Sequence, residues 1–256
     1  MLVDSHCHLD CIDLIPFSGR LVNVLQAAAA QDVTHFLCVS IDLDRWADMF
    51  GLVQDYKQIS VSVGTHPSSS PEQPPQADDL ARLAQDSKVV AIGETGLDYF
   101  YGSDSRERQQ RSFRSHIRAA LQADKPLIVH TRDAKEDTLR ILDEEGAAHV
   151  GGVLHCFTED WDMAERAMAL NFYISFSGII TFRNADPLRE VVKRMPAERI
   201  LVETDSPYLA PVPHRGKPNH PAWVRYVAEC VAKVRGETFD KVAAVTTENY
   251  FRLFGH

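Results

Sequence analysis

The chain has 256 residues, 45% hydrophobic and 25% charged, ordinary for a globular fold with a sizeable core. No apolar run reaches the roughly 20 residues that span a bilayer, no basic-then-apolar leader opens the chain, and five cysteines without paired spacing argue against a disulfide framework, so a cytoplasmic setting is expected. A formal net charge of −9 argues against a broad footprint for duplex nucleic acid, although bound cations and a few arginines in a cleft still suit a phosphate-bearing substrate.

In chain order, short β-branched or apolar runs occupy 2–5, 36–41, 59–64, 89–93, 126–130, 152–155, 173–177 and 200–203. Stretches with helical periodicity lie between them, among them 19–31, 106–123, 134–145, 160–170 and 187–195. Strand and helix in alternation imply a parallel sheet. Eight such units in a chain of this length predict a closed (β/α)₈ TIM barrel, one domain spanning 1–256. The open doubly wound sheet is the alternative, but no Gly-x-Gly-x-x-Gly follows the first strand. Two extra C-terminal helices are expected over 221–234 and 239–254, the last of them as packing. The Pro- and Ser-rich stretch 67–76 reads as a surface connector or as cover over a site.

In such barrels the site gathers where the strands end. His6 and His8 end the first strand, and their spacing of two puts both imidazoles on one face. His66 follows the third strand, Glu94 the fourth, His130 ends the fifth, His155 the sixth and Asp205 the eighth. This set exceeds the needs of one tetrahedral zinc and suits two adjacent divalent ions. Glu94 is the expected bridge. His6, His8 and Asp205 would hold one ion with it, and His130 and His155 the other. Asp205 is also the expected base for a nucleophilic water, and Glu94 and Asp205 are the catalytic pair. Mixed nitrogen and oxygen donors admit zinc, manganese or magnesium.

Other residues stay open. His35, His116 and His149 read as ordinary surface or core histidines. Cys7 and Cys156 should point away from the neighbouring ligands into the core. Asp4, on the face of His6 and His8, either supports the site or bonds a loop. Glu203 supports the site, binds a further metal or makes a core ion pair.

Four segments, Asp4-Ser5-His6-Cys7-His8-Leu9-Asp10, Gly93-Glu94-Thr95-Gly96-Leu97-Asp98, Leu154-His155-Cys156-Phe157 and Glu203-Thr204-Asp205-Ser206-Pro207-Tyr208, resemble the signatures of the TatD-type metal-dependent deoxyribonucleases. That family lies within the amidohydrolase superfamily, and the likeness runs from residue 4 to about 254, nearest the bacterial YcfH-like branch. It implies a TIM barrel, a divalent metal centre and hydrolysis of DNA phosphodiester bonds. It carries metal-binding roles onto His6, His8, Glu94, His130, His155 and Asp205, the same six that spacing selects. Many superfamily relatives have a carbamylated lysine on the fourth strand, where this chain has Glu94.

For substrate, His66, Arg132, Arg215 and Lys217 fall in rim loops and could hold phosphates, as could Arg183. For Arg132 and Arg183 the alternative is a loop-ordering ion pair. Tyr99, Phe100 and Tyr101 offer a stacking face for a base or simply pack. The expectation is a 3′-to-5′ exodeoxyribonuclease acting on single-stranded DNA or frayed 3′ ends, with no obligate protein partner. The alternatives are an amidohydrolase acting on an amide, lactone or aminoacyl ester, and a non-catalytic metal-stabilised binding protein.

Overall fold

Each of the eight runs is a strand in the computed structural model, which describes residues 1–69, 73–100 and 105–255. The strands are β1 (Leu2–Cys7), β2 (Val33–Cys38), β3 (Ile59–Val63), β4 (Val89–Asp98), β5 (Leu127–Arg132), β6 (Gly152–Leu154), β7 (Phe172–Phe176) and β8 (Ile200–Val202). They pair in parallel in chain order from β1 to β8. The ring closes just beyond β8. Asp205 N–H donates to His6 O at 2.9 Å, and His8 N–H donates to Ser206 O at 2.8 Å. This seam brings the start of the chain against Asp205.

Outside the strands lie α1 (Leu21–Ala29), α2 (Trp46–Val53), α3 (Ala77–Leu83), α4 (Arg106–Ala123), α5 (Lys135–Glu144), α6 (Trp161–Ala169) and α7 (Asp186–Arg194). Two more, α8 (Val224–Arg235) and α9 (Phe239–Phe254), follow β8 as expected. The main apolar core lies between strands and helices, for example Leu25 and Phe113 of the helices with Ile92 and Val129 of the strands. A second cluster fills the end where the strands begin. There Tyr250 and Phe254 of α9 pack with Val3, Leu37, Val90 and Ile128. Asn249 fastens that helix by donating to the carbonyls of Ala197 and Ile200 at 2.8 and 2.9 Å.

Two departures from the sequence reading matter for the site. β4 runs to Asp98 rather than stopping at residue 93, so Glu94 lies within a strand. Gly96 makes this possible: a Cβ there would stand 2.0 Å from His130 O, and its φ of +129° is one that side chains disfavour. The second departure is in β1, whose register slips between Asp4 and Cys7. Strict alternation therefore does not carry from Asp4 to His6. Among the described residues no helix is long and apolar enough to cross a membrane.

Candidate metal centre

The ends of the strands carry their polar side chains into a cleft of about 730 Å³, lined by His8, His66, Glu94, His130, His155 and Asp205 among others. Glu94 sits at its middle, almost fully buried. Its two oxygens face different groups. Oε2 lies 3.3 Å from His6 Nε2 and 3.8 Å from His8 Nε2. Oε1 lies 2.8 Å from His155 Nε2, 3.4 Å from His130 Nδ1 and 3.3 Å from His66 Nε2. Asp205 joins the first group, with Oδ1 3.4 Å from His8 Nε2 and 3.7 Å from His6 Nε2. The donor atoms of His6, His8 and Asp205 all lie within 4.8 Å of one another, as do those of His66, Glu94 and His130.

The outer nitrogens show what each ring offers the cleft. His8 Nδ1 donates to Val39 O at 2.9 Å, so in the neutral ring its Nε2 lone pair faces inward. That lone pair meets carboxylate oxygens of Glu94 and Asp205 and the His6 ring at 3.3 Å. Acceptors facing acceptors in a buried pocket repel unless a proton or a cation lies between them. The donor set therefore fits a divalent ion. His130 is held by Asp98, Oδ2 to Nε2 3.1 Å, and His155 by Glu203, Oε1 to Nδ1 3.3 Å, in the manner of carboxylates that orient ligand histidines. His66 differs. Its Nδ1 accepts the Ser68 backbone N–H at 3.1 Å, so its neutral ring carries the proton on Nε2 and offers the cleft a donor.

Charge follows this geometry. Burial works to raise the Glu94 carboxyl, but His155, His66 and His130 outweigh it and hold it well below its usual range. Asp205 is likewise low, burial being overcome by His8 and His6. Burial pulls His8 down, yet Asp205 and Glu94 carry it up to about 9. His155 is also raised, by Glu94 and Glu203 against burial. Burial instead drives His66 down to about 4, which keeps it neutral.

All six expected ligands thus converge, with His66 beside them. Arg132 lines the cleft, its guanidinium 3.9 Å from the Phe100 ring centroid. Arg215 and Lys217 do not line it: Arg215 lies over Phe182 and Lys217 is exposed. Arg183 is exposed too. Tyr99 packs, its hydroxyl donating to Asp137 at 2.8 Å, and Tyr101 lies outside the described residues. Asp4 takes its loop-bonding role: its carboxylate accepts Thr204 N–H at 2.8 Å and the Thr204 hydroxyl at 2.5 Å, which braces the segment carrying Asp205. Cys7 points into the outer core as expected. Cys156 does not. It adopts φ of +45°, which breaks the alternation after β6 and turns it half-buried onto the cleft wall.

Sequence reasoning passed over three supports. Asp98 shares the face of Glu94 at a spacing of four along β4, a signal available once the strand is known to continue. Ser68 sets the His66 tautomer. His116, a core histidine as expected, accepts Thr65 N–H at 3.0 Å and donates to Ser112 O at 2.8 Å, pinning the residue before His66.

A family model described as TatD related DNase matches residues 3–255. The chain belongs to the TatD-related DNase family. An uncharacterized metal-dependent hydrolase of Escherichia coli K12, YcfH, is 52% identical over 253 residues, covering 99% of this chain and 95% of that protein. Another, YabD of Bacillus subtilis, is 41% identical, covering 99% of each. The crystal structure of YjjV, a TatD homologue from E. coli K12, superposes with a TM-score of 0.90 at 29% identity, covering 100% of this chain and 98% of that one. As a member of this TatD family the chain is a metal-dependent hydrolase, and hence an enzyme. Its barrel is that of the YjjV structure, and its His, Glu and Asp groups are ones that could hold a metal ion.

Proposed function

We propose that the chain hydrolyses phosphodiester bonds of DNA, removing nucleotides from a single-stranded or frayed 3′ end at a two-ion centre. The observation that carries the reading is the division of Glu94, whose Oε2 faces His6 and His8 while Oε1 faces His130 and His155. His6, His8, Asp205 and Oε2 would hold one divalent ion, and Oε1, His130 and His155 the other. When bound, such a pair lowers the pKa of a water and offsets charge developing on the attacked phosphate.

The remaining work falls to side chains of the cleft. Asp205 is the side chain that would accept the proton from the attacking water. His66 offers its Nε2–H to a non-bridging phosphate oxygen, and neutrality suits a ring that must donate without repelling the ions beside it. Arg132 binds the same phosphate through its planar fork, and Phe100 behind it holds the guanidinium flat. Ile41, Ile179 and Leu209 give the cleft an apolar wall, and Tyr208, 52% exposed, stands at its edge as a face for a base. The confined cleft suits a strand end better than an intact duplex.

The test is metal-stripped protein on end-labelled single-stranded DNA, with zinc, manganese and magnesium restored separately. A ladder shortening from the 3′ end, absent in Glu94→Ala, is expected. No cleavage with any metal in folded, metal-loaded protein would overturn the DNA reading, and turnover of an amide or lactone indifferent to Arg132→Ala would replace it.

A further inference from the structure

Glu203 has so far been given one partner, yet it is built for two. It follows β8 directly and is completely buried. Oε1 takes the outer nitrogen of His155, but Oε2 has no hydrogen-bond partner, and neither does Nδ1 of His6. Orphaned polar atoms in a dry interior are costly, and here one is an acceptor and the other a potential donor. The His6 and His155 rings stack face to face, centroids 3.9 Å apart and planes 11° apart. Both turn Nε2 towards Glu94, at 3.3 and 2.8 Å, so their Nδ1 atoms lie away from it. Donor atoms of His6, His155 and Glu203 fall within 4.8 Å of one another.

We infer that Glu203 is a positioning residue shared by both halves of the centre, one carboxylate oxygen holding Nδ1–H of His155 and the other closing the remaining gap to take Nδ1–H of His6 when the centre is loaded. One buried anion then sets the tautomer of a ligand to each ion, and a change at one half is felt at the other. The competing occupant of this pocket is a third cation. It is disfavoured by charge, since both rings would have to give up Nδ1 protons while Nε2 already serves the cleft. The inference rests on the two-ion reading and not on DNA as substrate.

The experiment compares zinc-loaded wild type, Glu203→Gln and Glu203→Ala by imidazole N–H NMR, zinc affinity against a graded chelator, and zinc content. Wild type should show strongly downfield Nδ1 protons on both His6 and His155. In Glu203→Gln the amide oxygen still accepts from one ring, but its NH₂ cannot accept from the other, so one signal stays and one moves. In Glu203→Ala both move, and zinc affinity falls about 10–100-fold at both halves. Should the alanine variant fail to fold, the near-isosteric glutamine carries the comparison. The inference is overturned by a wild type with no downfield Nδ1 proton on His6, by a Glu203→Ala response confined to His155, or by a third zinc equivalent in wild type that Glu203→Gln removes. If wild type binds fewer than two zinc ions the two-ion reading fails by itself. In the metal-free protein, downfield Nδ1 protons on both rings that Glu203→Ala shifts then support the inference, and such a proton on one ring alone overturns it.

Discussion

The two ends of the barrel are made from the same strands and are used in opposite ways. Where the strands begin, Tyr250 and Phe254 close the ring against Val3, Leu37 and Val90. Where they finish, buried imidazoles and carboxylates crowd around Glu94 at 2.8–3.8 Å. Apolar burial at the first end stabilises the fold by about 25 cal/mol per Å². The second end spends part of that stability on desolvated charges, which a cation can repay. Chemistry and stability are therefore separable along the barrel axis, and mutations at the two ends should divide cleanly.

The largest expected effect is at the polar end. Glu94→Ala should lower turnover by about 10³-fold or more while lowering the metal-free melting temperature less than a core truncation does. Kinetics and thermal melts on one preparation check this, and a melting temperature lowered as far as by a core truncation would break the contrast. At the other end Tyr250→Ala should cost about 3–5 kcal/mol while zinc bound per folded molecule stays constant. Denaturant unfolding with metal analysis reads both.

His116 sharpens the comparison, because it ties core to site. Burial lowers its pKa from 6.5 to about 4, so between those values the unfolded chain binds the proton more readily. Its contribution to stability is whole above pH 6.5 and is lost as pH falls towards 4, about 3 kcal/mol at 1.36 kcal/mol per pH unit. Protonation at Nε2 would also release Thr65 N–H. Unfolding free energies of wild type and His116→Gln should therefore converge on acidification, and parallel curves would remove this link. The smallest effect belongs to Asp98→Asn, which should weaken zinc binding about 10–100-fold with little change in the melt. A chelator titration that leaves affinity untouched would show that Asp98 does not orient His130.

The same contrast governs what could be read from sequence. Strands buried on both faces appear as apolar runs, so all eight were legible, and so were the helices with broad apolar faces. The short helices were not. α2 has eight residues and buries only Met49 and Val53, while α3 has seven and buries only Leu80. The continuation of β4 was hidden because Gly-Glu-Thr-Gly-Leu-Asp looks like loop. Its burial depends on partners remote in sequence, such as the Gln109 side chain that accepts Asp98 N–H and donates to Asp98 O. The ligands could be found because residue type and strand-end position coincide. Their supports could not, since Asp98 meets a histidine 32 residues away. Cys156 escaped because one left-handed residue undoes an alternation rule.

The seam of the barrel has a consequence for how the protein comes to be. His6 and His8 are made almost two hundred residues before Asp205, yet backbone bonds between residues 6–8 and 205–206 hold them together. Until residues 205–206 are made the nascent chain holds the other five expected ligands without the sixth, and the contact that completes the set is among the longest-range in the fold. The finished enzyme is thus its own proof of completion: a truncated chain that never reaches β8 carries the histidines but cannot close the centre around them.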